Sequence, residues 1–405
     1  MMKPTGITRG SQASTGRRSS TAAMQALSRQ MSELRTLVAR AKLYSSVTPS
    51  TVLRYLPRDK ISERHGLGDL RRIVSLRTRG CSWARRGHGG CRHCGLPYSS
   101  YFSDQVSESP VEQFRRLVPL ESDGSVATLC IYCGGSFLSL QELTEEEQRA
   151  ILDEVARRPW IRHLIIEARP EFIEERLVWM VREILPDIEV EVGIGLDSWS
   201  PEVRNLVLNR GGNAVALRRA FEVLRGAGMI IQAYALLKPP FLTEREAIEE
   251  TVLTSTTAFD LGADVVSVEA MAVAEYTITH LLYNAGLYRP PWLWSVAEVI
   301  DRLDRYRDKL RVSYQYEPKP IAFTSNCPAC TPDHHASIYR PALPTADELQ
   351  ELRCDCKATW LREMETDDKS TILDRVVRTL DDPKYVGARE QLYRSLRELS
   401  KSDAH

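Results

Sequence analysis

The sequence lacks any apolar stretch close to the length of about eighteen residues that a membrane-spanning helix requires. It also lacks the secretory signal that accompanies extracellular proteins stabilised by disulfides. Hydrophobic residues make up 43% and charged residues 27% of the 405 positions, which is ordinary for a globular protein. We therefore predict a cytoplasmic protein without a membrane partner.

The sequence also has no net charge, because 54 basic residues balance 54 acidic ones, but the charged residues are unevenly distributed. Residues 1–45 contain eight Lys or Arg and one acid, Glu33, which leaves a net charge of −7 on the remainder. An acidic body excludes a general nucleic-acid-binding protein. One group of arginines is an exception, and it could face an anionic substrate, a tRNA backbone or solvent. The group comprises Arg71, Arg72, Arg77, Arg79, Arg85, Arg86 and Arg92.

The first ~30 residues are rich in Ser, Thr, Gly and Arg, which is typical of a disordered tail or a transit-like segment. A true start at Met24 or Met31 is an equally good interpretation. We predict three regions: a disordered or mis-assigned tail over 1–45, a barrel domain over 46–320, and a metal-binding and helical extension over 321–405.

Strand-like apolar runs alternate with amphipathic helical segments along the middle of the chain. The runs are Ile73–Leu76, Val126–Cys133, His163–Ala168, Val190–Leu196, Ile230–Leu237 and Asp264–Ala270. The helical segments include Glu142–Arg158, Glu174–Leu185, Ala214–Arg225 and Glu244–Phe259. Six such repeats predict an α/β fold in which a parallel sheet with right-handed crossovers curls into a partial (β/α)6 barrel of the TIM type. Functional groups of such barrels lie at the carboxyl ends of the strands.

Three cysteines, Cys81, Cys91 and Cys94, lie in a glycine-rich stretch directly after the first apolar run. Thiolates suit iron, and three of them on a four-iron cubane leave one iron open to an outside ligand. This spacing indicates a [4Fe-4S] cluster that binds S-adenosylmethionine at the open iron and cleaves it reductively to a 5′-deoxyadenosyl radical, the chemistry of radical SAM enzymes. Half of a zinc site, or three thiols without a metal, is the alternative.

Glycine or charged residues follow each of the next strands at the rim where a barrel places its site. They are Gly134, Gly135 and Ser136 after the second strand, Arg169 after the third, Asp197 and Arg210 after the fourth, and Lys238 after the fifth. Any one charged group is as consistent with a surface ion pair or a helix cap. Their succession along one rim favours a binding site.

The remaining cysteines form two pairs near the end of the chain and one pair on the second strand. The sequence pairs Cys327 with Cys330 and Cys354 with Cys356, which predicts a four-thiolate metal site. Zinc would make it a structural site, whereas an auxiliary [4Fe-4S] cluster could transfer electrons or yield sulfur.

Cys130 and Cys133 are three positions apart on a strand, so they should face opposite sides and are best interpreted as buried core thiols. Cys133 borders the glycine turn, and we consider it a candidate hydrogen-atom donor to a product radical.

Six stretches carry a family resemblance: Leu76–Cys81, Gly134–Leu138, Glu167–Glu171, Val192–Asp197, Leu237–Phe241 and Gly286–Ser295. They resemble the radical SAM proteins related to the elongator catalytic subunit, and most closely the archaeosine synthase radical SAM subunits. The similarity runs from about residue 50 to residue 365 and includes the C-terminal cysteine pairs.

The resemblance implies that Cys81, Cys91 and Cys94 bind the cluster and that Gly134, Gly135 and Ser136 meet the methionine end of S-adenosylmethionine. It also implies that Asp197 and Arg210 hold the amino-acid or ribose groups of the cofactor, with Arg169 and Lys238 as further candidates for cofactor or substrate contact. Lys238 and Cys133 are our candidate catalytic residues. The implied reaction is radical C–N bond cleavage in a lysine-modified 7-deazaguanosine of tRNA. It would need a one-electron reductant such as a flavodoxin or ferredoxin.

The sequence departs from that family at the fourth strand, where Asp197 replaces an expected Glu, and after the sixth strand over Glu269–Thr277. The substrate could therefore be tRNA or a free nucleoside-like metabolite. Sulfur insertion or exchange with an auxiliary cluster is the alternative reaction. A zinc-stabilised RNA-binding protein with a degenerate barrel is the alternative outside enzymes.

Overall fold

The structure, a computed structural model, describes residues 12–43, 49–55, 70–101, 108–122, 124–315, 320–366 and 368–402. Its strands are β1 (Ser50–Tyr55), β2 (Leu70–Ser75), β3 (Val126–Tyr132), β4 (His163–Ala168), β5 (Glu189–Asp197), β6 (Ile230–Leu237), β7 (Val265–Ala270), β8 (Val273–Ala274), β9 (Leu310–Tyr314) and β10 (Pro320–Ala322). Eight of these form one sheet in the order β1-β2-β3-β4-β5-β6-β7-β9, and β8 pairs with β10 in a small second sheet.

Strands β2 to β7 and β9 run parallel, while β1 pairs antiparallel with β2 at one edge. These strands are parallel because each crossover returns the chain to the same end of the sheet. Neighbours in the sheet also follow one another along the chain. The sheet curls into a partial barrel, which confirms the predicted fold class. All six predicted strands are present, and β9 adds a parallel strand that the sequence interpretation missed.

The helices are α1 (Gln12–Arg40), α2 (Leu96–Tyr101), α3 (Pro110–Leu117), α4 (Glu145–Ala156), α5 (Glu175–Ile184), α6 (Ala214–Gly226), α7 (Glu244–Leu261), α8 (Ile278–Asn284), α9 (Leu293–Arg302), α10 (Thr331–Ile338), α11 (Ala346–Glu351), α12 (Cys356–Glu365), α13 (Ile372–Leu380) and α14 (Pro383–Ser402). Capping boxes fix the start of two crossover helices, with Thr144 and Glu147 at α4 and Thr243 and Glu246 at α7. Among the described residues, no helix has both the length and the apolar character that crossing a membrane requires.

Alternate residues of each strand face opposite layers, as the two-residue period of a strand requires. In β5, Val190, Val192 and Ile194 pack in the apolar core together with Leu177 of α5 and Phe221 of α6. The residues between them face the inside of the barrel.

A buried ion network fills the inside of the barrel near the amino ends of the strands. The Arg311 guanidinium on β9 contacts both oxygens of Glu191, at 3.1 Å from Nη2 to Oε2, and also the Gln232 side chain. His163 Nε2 lies 3.3 Å from Glu191 Oε2. Burial opposes ionisation of Glu191, but Arg311 and His163 overcome it and lower the pKa of this carboxyl to about 2. The network therefore closes this end of the barrel and leaves the carboxyl ends of the strands for a site.

The prediction of a disordered tail over 1–45 is wrong for residues 12–40, which form helix α1. Leu27, Met31, Leu34 and Val38 recur at helical spacing and are buried against the C-terminal helices and Tyr98. The Ser- and Arg-rich composition of the segment predicted disorder, whereas this apolar stripe at helical spacing is typical of a packed helix. Residues 1–11 and 44–45 lie outside the described part of the chain, and the boundaries at 46, 320 and 321 stay a prediction.

Replacing Arg311 with Met should destabilise the fold strongly, because it leaves the fully buried Glu191 carboxylate without its cation. We expect a loss of about 3–5 kcal/mol in the free energy of unfolding, measured by urea denaturation. The matched control is Arg302→Gln, which breaks the exposed pair with Glu298 and should cost about 1 kcal/mol or less. An Arg311→Met protein no less stable than this control would contradict the role of the network.

Candidate active site at the carboxyl ends of the strands

The three predicted cluster ligands lie on residues 76–95, which follow β2 and which we call the cluster loop. Cys81, Cys91 and Cys94 are each partly buried, and none of them forms a disulfide. The loop is therefore at the end of the barrel where the sequence predicted it, since it leaves the carboxyl end of the first parallel strand.

Glu142 joins the cluster loop to the turn that follows β3. Its fully buried carboxylate accepts hydrogen bonds from the backbone N (2.9 Å) and hydroxyl (2.8 Å) of Ser82 and from the backbone N of Ser136 (2.7 Å). Burial raises the pKa of this carboxyl, while the hydrogen bonds favour its ionised form. Sequence reasoning missed this role because it interpreted Glu142 as the first residue of a helix, whereas α4 begins at Glu145.

Gly135 sits where a side chain would not fit. A Cβ there would fall 1.9 Å from Glu142 Oε2 and 3.0 Å from the Cα of Cys81. The absence of a side chain thus lets the turn lie directly against Cys81, the first predicted cluster ligand.

The structure brings four of the predicted cofactor residues into one network along the rim. The backbone N of Arg169 donates to Ser136 Oγ at 3.0 Å, and Arg169 Nη2 donates to the carbonyl of Arg210 at 2.5 Å. Arg210 in turn contacts Asp197, with 2.5 Å between Nε and Oδ2, and donates to the carbonyl of Gly195. Asp197 has a positive φ of 64°, which turns the chain sharply at the end of β5.

A second set of contacts ties the cluster loop to the segment after β5. Trp83 Nε1 donates to the carbonyl of Asn209 (2.8 Å), and Asn209 Nδ2 donates to the carbonyl of Gly90 (2.8 Å). The Arg169 guanidinium lies 4.6 Å from the centre of the Trp83 ring. Trp83 was not predicted, although an aromatic residue two positions after Cys81 is a signal that could have been used.

The donors present fit a cluster and S-adenosylmethionine. Three thiols supply soft ligands for iron. Arg169 Nη1 is buried at the rim and has no hydrogen-bond partner within the described ranges, so it remains available to an anionic group of a ligand. Gly195 lies so close to Arg210 that any side chain there would displace the guanidinium.

Acids and phenols face the inside of the barrel below this rim. Tyr234 donates to Glu167 Oε1 at 2.8 Å, and burial, with a contribution from nearby Glu269, raises the pKa of Glu167 to about 7. Glu269 accepts hydrogen bonds from Ser267 and Ser313, and burial raises its pKa as well. The Glu167 carboxyl can therefore hold or release a proton near neutral pH.

The two predicted catalytic residues lie apart from the rim network. Cys133 packs in the apolar core with Leu129 and Ile131, whereas Cys130 packs with Ile73 and Ile165 in a separate small cluster. The prediction that Cys130 and Cys133 are buried and face different surroundings agrees with this placement. The position of Cys133 gives no support to hydrogen-atom donation.

Lys238, at the end of β6, forms a buried ion pair with Glu244. Glu244 also accepts hydrogen bonds from the backbone N of Trp292 (3.1 Å) and the hydroxyl of Ser295 (2.6 Å). The contacts of Lys238 thus lead to the long motif at 286–295 and indicate a structural role.

The four C-terminal cysteines converge on one point. Sγ–Sγ distances are 3.6 Å for Cys327–Cys330, 3.5 Å for Cys327–Cys354 and 3.6 Å for Cys330–Cys356, and all four sulfurs lie within 4.8 Å of one another. Trp294 Nε1 donates to Cys356 Sγ at 3.3 Å. The predicted four-thiolate set is therefore assembled. His334, which lies between the pairs in sequence, contacts Asn326 instead.

A curled parallel sheet with a three-cysteine loop after its first parallel strand, and with a glycine turn and arginines along the same rim, defines a radical SAM enzyme. No family model matches the sequence. The archaeosine synthase subunit beta of Thermococcus kodakarensis is 30% identical over 229 residues, which cover 56% of this chain and 70% of the relative. The chain therefore belongs to the family of archaeosine synthase beta subunits.

Further comparisons give the extent of the similarity. The archaeosine synthase subunit beta of Methanosarcina acetivorans is 28% identical over 301 residues, which cover 73% of this chain and 85% of the relative. Among solved structures, Elp3 of Methanocaldococcus infernus overlaps with a TM-score of 0.39 at 17% identity, over 49% of this chain and 51% of that one.

Replacing Gly135 with Ala should disrupt the junction between the glycine turn and Cys81, because the added methyl group would collide with the Glu142 carboxylate and the cluster-loop backbone. We expect a loss of about 1–3 kcal/mol in the free energy of unfolding, together with lower iron uptake during anaerobic reconstitution. The control is Gly87→Ala in the same loop, where a Cβ meets no atom within 4 Å. Equal iron contents in the two variants would show that the close approach at Gly135 is unimportant.

Proposed function

We propose that the protein binds a [4Fe-4S] cluster through Cys81, Cys91 and Cys94 and S-adenosylmethionine at its open iron. It then removes a hydrogen atom from a nucleoside-like substrate as part of C–N bond cleavage, as in archaeosine formation. The observation that carries the proposal is the continuous set of contacts from Ser82 beside Cys81, through Glu142, Ser136 and Arg169, to Arg210. Cluster ligands and cofactor candidates are thereby held at one rim.

The residues have separable roles in this proposal. The bound cluster supplies the electron for reductive cleavage of S-adenosylmethionine, delivered by a flavodoxin or ferredoxin. Ser136 and the glycine turn hold the methionine amino end close to the loop. Arg169 offers the carboxylate its Nη1, which has no hydrogen-bond partner among the described residues, and Asp197 with Arg210 borders the ribose.

The names of the relatives support this substrate class, since they refer to synthesis of archaeosine, a modified nucleoside. Glu167 and Glu269 face the inside of the barrel and suit a cationic or hydrogen-bond-donating group of that substrate. Because the body of the chain is acidic, we propose that a tRNA substrate is held by the exposed arginines of the cluster loop and by a second subunit, in keeping with the name beta subunit.

The C-terminal cysteines are proposed to bind a single zinc ion. Zinc–sulfur bonds of about 2.3 Å in a tetrahedron place sulfurs roughly 3.8 Å apart. Three of the sulfur pairs here are 3.5–3.6 Å apart, and all four sulfurs lie within 4.8 Å of one another. In a cubane each thiolate binds a different iron, which spreads the sulfurs further. This geometry favours a structural zinc site and makes sulfur insertion by an auxiliary cluster the weaker candidate.

Metal content tests the two assignments together. After anaerobic reconstitution the wild type should contain ~4 iron and ~1 zinc per chain. Joint replacement of Cys81, Cys91 and Cys94 by Ala should remove the iron and leave the zinc, since the zinc site lies on other elements. The control, Cys130→Ala, replaces a buried cysteine outside both sites and should retain both metals. A wild type with ~8 iron and no zinc would reject the zinc assignment and revive sulfur transfer.

Product formation tests the reaction. Under reducing, anaerobic conditions the wild type should form 5′-deoxyadenosine, and the triple Ala variant should form at least a hundredfold less because it has no open iron. Adding tRNA that carries the lysine-modified nucleoside should stimulate formation and yield archaeosine, and the free nucleoside serves as the comparison. Equal 5′-deoxyadenosine formation by the triple variant would overturn the proposal.

A further inference from the structure

Arg92 lies between two predicted cluster ligands, yet its side chain points into the protein and is only 1% exposed. Its Nη2 donates to the carbonyl of Met24 and to the hydroxyl of Ser28, each at 3.0 Å, on helix α1. Its Nη1 donates to the carbonyls of Asn205, at 3.3 Å, and Leu206. One guanidinium therefore joins the cluster loop to α1 and to the segment that leads to Arg210.

The backbone of Arg92 is fixed as well. Its N donates to the carbonyl of Leu208 at 3.0 Å, and its carbonyl accepts from the N of Ile278 at 2.9 Å. The residue next to Cys91 is thus held on both sides by hydrogen bonds.

A second buried arginine reaches the same loop from α1. Arg35, 6% exposed, donates through Nε to the carbonyl of Gly89 and through Nη2 to the carbonyl of Cys94 at 3.2 Å. A Cβ on Gly89, which has a φ of 75°, would lie 2.8 Å from the backbone N of Ser32. The backbones of α1 and the cluster loop are therefore in direct contact.

Helix α14 holds α1 from the opposite side. The hydroxyls of Tyr385 and Tyr393 donate to the side chain (2.6 Å) and the carbonyl (3.0 Å) of Gln30, and Arg397 pairs with Glu33 at 2.9 Å. Both ends of the chain thus support the cluster loop.

We infer that α1 is a wall of the cluster site, in which Arg35 and Arg92 are positioning residues that fix the loop and place two buried positive charges beside the cluster. The inference rests on the proposed binding of the cluster by the three cysteines. Three thiolates make such a site anionic, and reduction adds a further negative charge. Buried cations close by therefore stabilise the reduced state and raise the reduction potential.

The test compares Arg92→Met, Arg92→Lys and Arg29→Gln, where Arg29 is an exposed residue of the same helix. Each protein is reconstituted anaerobically, its iron and zinc are counted, and the midpoint potential of the cluster is measured by EPR-monitored titration. In Arg92→Met we expect reduction to become at least tenfold less favourable, a fall of ~59 mV or more. Arg92→Lys keeps the charge but cannot make all the hydrogen bonds of the guanidinium. It should therefore lose iron, while the midpoint potential of the remaining cluster shifts less than in Arg92→Met. Arg29→Gln should match the wild type.

An Arg92→Met protein with wild-type iron content and midpoint potential would overturn the inference. If that variant loses iron but keeps zinc, it is folded, and the loss supports the positioning role. If it loses both metals, the iron content, zinc content and midpoint potential of Arg35→Met and Arg35→Lys are measured instead. Wild-type values in Arg35→Met would then overturn the inference. A wild type that takes up no iron would instead refute the proposed function.

Discussion

The geometry of the site depends on the hydrogen bonds that the buried carboxylate of Glu142 accepts. This carboxylate accepts three hydrogen bonds, two from the residue after the first predicted cluster ligand and one from the residue after Gly135. A buried carboxylate is costly to leave without partners, so the donors and the acceptor constrain one another strongly. One side chain thereby sets the separation between Cys81 and the glycine turn, and Gly135 has to remain without a side chain at that separation.

The other two predicted cluster ligands are held by different means. Cys91 and Cys94 flank Arg92, whose contacts run to α1 and to the segment after β5, and Arg35 binds the carbonyl of Cys94 itself. The cluster loop is thus fixed on one side by the barrel and on the other by helices from both ends of the chain. A loop proposed to supply three ligands to a large cofactor needs such outside support, because a glycine-rich backbone has little preference for one conformation.

The sequence predicted the features that have a local signal. Apolar runs located the parallel strands, and the spacing of Cys81 from its partners located the cluster loop. Position after a strand identified Arg169 and Asp197, which the structure does bring into one network. Glu142 and Arg35 were missed because their contacts with the cluster loop span 60 and 54 positions, and nothing local marks such contacts. Helix α1 was missed because its composition favoured disorder over the apolar periodicity. Strand β9 was missed because β8, α8 and α9 lie between it and β7.

The motif at 286–295 shows how the C-terminal metal site relates to the barrel. Ser295 donates to Glu244, the ion-pair partner of Lys238 at the end of β6, and Trp294 donates to the sulfur of Cys356. Two neighbouring residues therefore connect the four-thiolate site to the rim of the barrel. A hydrogen bond to a metal thiolate orients that ligand and depends on its position, so a metal bound at Cys356 also fixes where Trp294 and Ser295 lie. Ser295 in turn contacts Glu244, which pairs with Lys238. The backbone of Lys238 is left-handed, with a φ of 66°, and such a conformation persists only where the surrounding structure holds it. The C-terminal metal site is for this reason joined to the end of β6 through these side-chain contacts.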